Sequence, residues 1–215
     1  FERATSILIR KDSQPSKETP QLLIPEDIFE LFGPRVIDAV SDALESAQSL
    51  WGQAHRVKAA TVDLNAVLKA YQALQGREIW KHDGTFIEKY QPTFGPGVKE
   101  RFAFAKTVHD KDLTEQELLC EQAVRHINGL LADSSVLILP TLPGAGLKLD
   151  CSPDDMNAFR SKMSASFCLG GLAGVPWITL PLAEIDGAQL GVSLVSACGT
   201  DAWLLELSKA LVQNR

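Results

Sequence analysis

The chain has 215 residues, 45% of them apolar and 22% charged, with a formal net charge of −6. That length and mixture suit a soluble globular chain with a sizeable core. The acidic balance argues against a nucleic-acid partner, which would favour a basic face. No unbroken apolar run approaches the roughly 18 residues that a membrane span needs. The four cysteines, Cys120, Cys151, Cys168 and Cys198, lie far apart with no CxxC pair. That spacing disfavours a zinc site, and reduced thiols in a cytoplasmic setting are the expectation.

The chain opens FERATSILIRKD, with Phe1, Ala4, Ile7 and Leu8 near helical spacing and no capping residue before them. It is expected to begin inside a helix and to be a piece of a longer protein. Residues 10–21 read as a polar loop. LLIP (22–25) reads as a buried strand stopped by proline, and Pro34 opens a helix that Gly52 closes. RVKAATVD (56–63) suits a second strand, so the order strand, helix, strand predicts a parallel βαβ unit.

Residues 64–90 keep a helical period, with Gly84 expected to interrupt it near the end. QPTFGPG (91–97) is a rigid loop before a helix at 98–108. Thr114 and Glu117 form a capping-box pattern for a helix running to about Ala132. VLILP (136–140) reads as a strand covered on both faces, followed by a long Pro/Gly-rich loop over 141–155. A helix from about Asp154 to about Gly170 leads to the strand WITLPL (177–182). Asp186-Gly187 centres a hairpin turn into LGVSLVS (190–196), and a last helix runs from Thr200 or Asp201 through Leu211. The predicted class is α/β: a mixed, mostly parallel sheet covered by helices on both faces, in one α/β region over residues 1–215.

SFCLGGLAGVPWITLPL (166–182) is the stretch richest in chemistry-bearing residues. Ser164 and Ser166 are not flanked by glycines as a nucleophile elbow requires, and the local order is helix into strand, the reverse of an elbow. No Lys follows the glycines, which removes a phosphate-binding loop. The glycines are expected to end a helix and turn the backbone into the sheet, with Pro176 opening a strand and Pro181 stopping it. His55, His82, His109 and His126 sit in separate segments and read as surface residues. Cys168 lies between Phe167 and Leu169 and reads as a buried, inert thiol. No complete catalytic set is visible, and no metal or cofactor is called for.

The order of segments resembles the C-terminal half of the amidase signature family of hydrolases. VLILPTLP (136–143) is similar to its "D-x-L-L-x-P-T-x-P" strand and loop. SFCLGGLAGVPWITLPL is similar to its "N-x-x-G-x-P" segment, and DGAQLGVSLVSACGTDAWLLELSKAL (186–211) to its ending. YQALQGREIWKHDGTFIEKYQPTFGPGVKERF (71–102) resembles the middle of indoleacetamide-type amidases. The chain departs from the pattern at Gly171, where the family often has Asn, at Ser193, and at Val195-Ser196-Ala197.

The resemblance implies the C-terminal part of an α/β/α fold and a parent that hydrolyses carboxamides to acid and ammonia by a Ser–cis-Ser–Lys triad. No Ser/Gly-rich stretch of that kind occurs here, so no catalytic residue is carried over and the chain by itself is expected to be inactive. What the resemblance implies for this chain is pocket wall, at the loop residues Thr141, Leu142 and Pro143 and at Phe167 and Cys168. The implied partners are a small amide, with an aryl- or indole-acetamide first, and the N-terminal half of the same protein. A homo-oligomer is compatible with this reading; nucleic acid and membrane are not expected. The alternative is a non-catalytic amidase homologue acting as a binding or interaction module.

Overall fold

A computed structural model describes residues 19–95, 97–132 and 134–214. The helix expected at the very start of the chain lies outside the described residues.

Gln21–Pro25 forms β1, and Ser135–Pro140 forms β3. All six residues of β3 are buried, as a strand covered on both faces requires. Both strands end in proline, whose missing N–H and fixed φ take the chain out of the ladder at that point. His55–Val57 forms β2, and the hairpin strands are β4 (Trp177–Ile185) and β5 (Ala188–Val195). The sheet order is β2-β1-β3-β5-β4. β1 pairs parallel with β2 and β3, whereas β5 pairs antiparallel with β3 and β4. Four strands therefore run one way, with β5 inserted against them.

After β1 come three short helices: α1 (Glu26–Phe32), α2 (Pro34–Ala39) and α3 (Ser41–Trp51). The single helix expected from Pro34 to Gly52 is thus divided at Val40, whose ψ of 1° leaves the helical range. Gly52 does close α3, at φ 93°, where a side chain would be strained. The strand expected over 56–63 is shorter, because the chain leaves the ladder to meet Asp27. That carboxylate accepts the backbone N–H of Ala59 at 2.9 Å and of Ala60 at 3.0 Å.

Leu64–Tyr90 is one unbroken helix, α4, of 27 residues. Gly84 does not interrupt it. The Trp80 ring lies across Gly84, so close that a Cβ there would come within 2.8 Å of the indole nitrogen. Val98–Val108 (α5) packs against α4, and Thr114–Leu130 is α6. The capping box expected at Thr114 is absent. Asp112 plays that part, accepting from both the backbone N–H (3.0 Å) and the hydroxyl (2.6 Å) of Thr114. Those bonds hold the Asp112 carboxyl below its usual pKa.

Pro153–Ala173 is α7, and Asp201–Gln213 is α8. α7 runs through Gly170 and Gly171 and ends only at Gly174, in the left-handed region at φ 64°. Gly170 is instead a packing position, since a Cβ there would lie 2.7 Å from the Trp177 ring. Pro181 lies inside β4, at a register irregularity between Leu180 and Ala183, where the lost N–H is tolerated. α4, α6 and α7 pack together as one layer, and α2, α3 and α8 meet β4, β1 and β5 as the other. One core joins both layers to the sheet through Val136, Ile138, Val192, Leu194, Ile127 and Leu169.

Candidate functional site

β1 and β3 are parallel and leave the sheet at the same edge, which is where α/β folds open their crevices. Beyond these two carboxyl ends lies a cleft of about 870 Å³. One wall is Phe32–Val36, after β1. The second is the loop after β3, from Pro143 through Cys151. α7 contributes Asp155, Phe159 and Lys162, and the hairpin contributes Ile185 and Asp186.

Each wall is anchored locally. Gly33 turns between α1 and α2 at φ 93°. The Asp186-Gly187 turn has φ of 54° and 73°, the left-handed pair that a tight hairpin needs. It brings Asp186 into an ion pair with Arg35, both groups open to solvent. The long loop is tied at both ends. At its start the Thr141 N–H donates to the Gly191 carbonyl at 2.8 Å, and the Thr141 hydroxyl bonds Ser193 at 2.7 Å. Thr179 closes this hydroxyl cluster at 3.1 Å from Ser193. Gly191 makes room for it: a Cβ there would lie 2.5 Å from Thr179 Cγ2 and 2.6 Å from Thr141 Oγ1. At its far end the Ser152 hydroxyl accepts the Asp155 N–H at 3.1 Å and donates to the Asp155 carboxylate at 2.6 Å. This caps α7.

The five expected pocket residues are not brought together. Pro143 lines the cleft. Leu142 packs half-buried against the core, and Thr141 is buried in the hydroxyl cluster. Phe167 and Cys168 belong to a different part of α7. Phe167 stacks on Trp177 with ring centroids 4.7 Å apart. Cys168 is buried, donates to the Ala165 carbonyl at 3.3 Å, and has its thiol pushed up to about 12 by burial and by nearby Cys120. A thiol with that pKa is no nucleophile at neutral pH. The sequence reading missed Arg35, Asp186, Phe159 and Lys162. Asp186 carried a turn signal and Arg35 followed a helix-opening proline, but neither signal says that they meet.

The cleft is lined by cations, carboxylates, one thiol and apolar side chains, with no His or Ser among them. It therefore holds no Ser–His pair. Ser166 is fully buried in α7, and its hydroxyl has no hydrogen-bond partner. Among the described residues no cluster of His, Cys, Asp and Glu is arranged to hold a metal ion. No described helix is long and apolar enough to cross a membrane.

No protein-family model matches the chain. Curated relatives do. Amidase 1 of Arabidopsis thaliana is 28% identical over 148 residues, 69% of this chain and 35% of that protein. Outer envelope protein 64, chloroplastic, of the same plant is 25% identical over 63% of this chain and 23% of its own length. Among solved structures, an amidase superposes with a TM-score of 0.76 at 22% identity, over 93% of this chain and 46% of that one. A bacterial aryl acylamidase of the amidase signature family superposes with a TM-score of 0.71 at 15% identity, over 98% of this chain and 45% of that one.

The fold is therefore that of the amidase signature enzymes. The chain spans between about a third and a half of the length of these amidases.

Proposed function

We propose that these residues are the C-terminal part of an amidase signature hydrolase that cleaves a carboxamide to an acid and ammonia. In this reading the Ser–cis-Ser–Lys triad lies in sequence outside the 215 residues, which supply scaffold and pocket wall. The observation that carries it is the lopsided superposition: nearly the whole chain, 93%, matches less than half, 46%, of an amidase.

The substrate we favour is an aryl- or indole-acetamide, on the resemblance of residues 71–102. Pro143 is the pocket residue best supported by position, because it lies on the cleft. Thr141 acts there as a positioning residue, through its bonds to Gly191 and Ser193. Four free cysteines support a reducing compartment such as the cytoplasm.

The test is ammonia release from phenylacetamide and indole-3-acetamide, by residues 1–215 and by the product of the complete coding sequence. The expected result is turnover by the complete product only, lost when a serine of its Ser/Gly-rich segment is replaced. Turnover by residues 1–215 alone would overturn the reading. A complete product that carries no such segment and releases no ammonia would favour the non-catalytic binding module instead.

A further inference from the structure

A second groove, on the other side of α7 from the cleft residues, belongs to no part of this reading. It has a volume of about 710 Å³ and lies between the first two turns of α4, the start of α5 and the flank of α7. Three cations from three separate helices line it: Lys69, Arg101 and Arg160. Among the described residues none of them has an ion pair or a hydrogen bond, although the chain as a whole carries a net charge of −6. Here a single carboxylate lines the groove, that of Glu100, and it already accepts the Gly97 N–H at 2.6 Å.

Backbone polarity acts in the same direction. The lining includes residues from the first turns of α4, α5 and α7, so three helix N-termini border one concavity. The positive ends of their dipoles favour negative charge. Asp63 and Asp155, near the starts of α4 and α7, lie outside the lining; the Asp63 carboxylate accepts the Ala66 N–H and the Asp155 carboxylate accepts the Ser152 hydroxyl. Asn65 and Asn157 add neutral amide donors.

We propose that this groove binds a compact anion carrying at least two negative charges, held by Lys69, Arg101 and Arg160. Two guanidinium forks and one ammonium suit the planar oxygens of a carboxylate or the oxygens of a phosphate. A monovalent anion would leave two of the three cations without a partner.

The experiment titrates the product of the complete coding sequence with citrate, with inorganic pyrophosphate and, as the monovalent control, with acetate. Calorimetry gives affinity and amide-resolved NMR gives location. Saturable one-site binding of citrate or pyrophosphate is expected, with shifts centred on Asn65, Gly97 and Asn157. The tighter of the two identifies the ligand as a polycarboxylate or a phosphate. Acetate should not saturate. Lys69→Gln, Arg101→Gln and Arg160→Gln should each weaken binding about tenfold or more, with unchanged circular dichroism because all three side chains are exposed. Arg125→Gln, at a surface ion pair on α6, should change nothing. The proposal is overturned if neither polyanion saturates, if the shifts centre elsewhere, or if the triple Gln variant binds as well as the parent. Amidase activity does not enter these readouts, so this proposal and the preceding one fail separately.

Discussion

β3 and β4 are both strands of the same sheet, yet they obey different rules. β3 is central, pairs on both sides, and buries all six of its residues. β4 is at the edge, pairs on one side, mixes buried, half-buried and exposed residues, and carries a proline in its interior at a register irregularity. A central strand must pair every polar group it buries, as Ser193 of β5 is paired by Thr141 and Thr179, because its backbone and both faces are out of water. An edge strand can absorb Pro181, because no neighbour waits for its N–H. The functional consequence follows from the pairing. β3 is parallel to β1, so the loop after β3 and the helix α1 that directly follows β1 start from the same end of the sheet, and that loop and the α1–α2 junction line the cleft. The β4–β5 hairpin supplies Ile185 at the end of β4 and Asp186 in its turn to that cleft and otherwise braces the start of the loop.

Removing side-chain volume from the central strand should have the largest effect. Ile138→Ala is expected to destabilise the fold by about 2–5 kcal/mol, because Ile138 is 0% exposed. The same truncation at half-buried Leu180 on β4 should cost clearly less. Equal losses in urea denaturation would erase the distinction between the strands. Gly191→Ala tests the brace. Its methyl group has no room beside Thr141 and Thr179, and overpacking of that kind costs about 1–3 kcal/mol. Thermal melting measures the loss, and amide shifts confined to residues 141–152 would show that the hairpin holds the loop.

Asp27→Ala tests whether the parallel side is held by polar contacts as well as by core. It leaves the Ala59 and Ala60 amides, both in buried residues, without their acceptor. Orphaned buried donors cost about 1–3 kcal/mol, and fast hydrogen exchange at those two amides is the direct readout. Cys168 gives a kinetic test with no change in sequence. With its thiol at about 12, the thiolate stays scarce from pH 7 to 9, and iodoacetamide should label exposed Cys198 while sparing Cys168. Prompt labelling of native Cys168, followed by mass spectrometry, would contradict its burial. The smallest effect belongs to Arg35→Ala. The Arg35–Asp186 pair joins the two ends of the cleft but is exposed on both sides, so its loss should change stability by no more than about 1 kcal/mol.

Most elements were legible because they rest on local pattern. The apolar run at 136–140 fits a strand covered on both faces, and Asp-Gly at 186–187 fits a hairpin turn, and both form. Errors fell where a distant side chain overrides a local preference. Gly84 and Gly170 read as breaks by helix propensity, yet both sit inside helices beneath Trp80 and Trp177. Thr114 matched a capping box, but Asp112 had the shorter path to the same amide. Of the candidate pocket residues, Pro143 reaches the cleft while Phe167 and Cys168 face Trp177 and Cys120, because position along α7 decides which neighbour a side chain meets.

α1 (Glu26–Phe32) and the division of the Pro34–Gly52 helix at Val40 escaped the sequence reading, but the sequence alone determined the class, the order of the five strands and the remaining helices. These follow from hydrophobic period and turn chemistry, which act within a few residues. Tertiary structure decided which residues share a cavity. Arg35 and Asp186 are 151 positions apart, and Lys69, Arg101 and Arg160 come from three helices. Contacts at such separations depend on sheet order and helix packing, which no local pattern encodes.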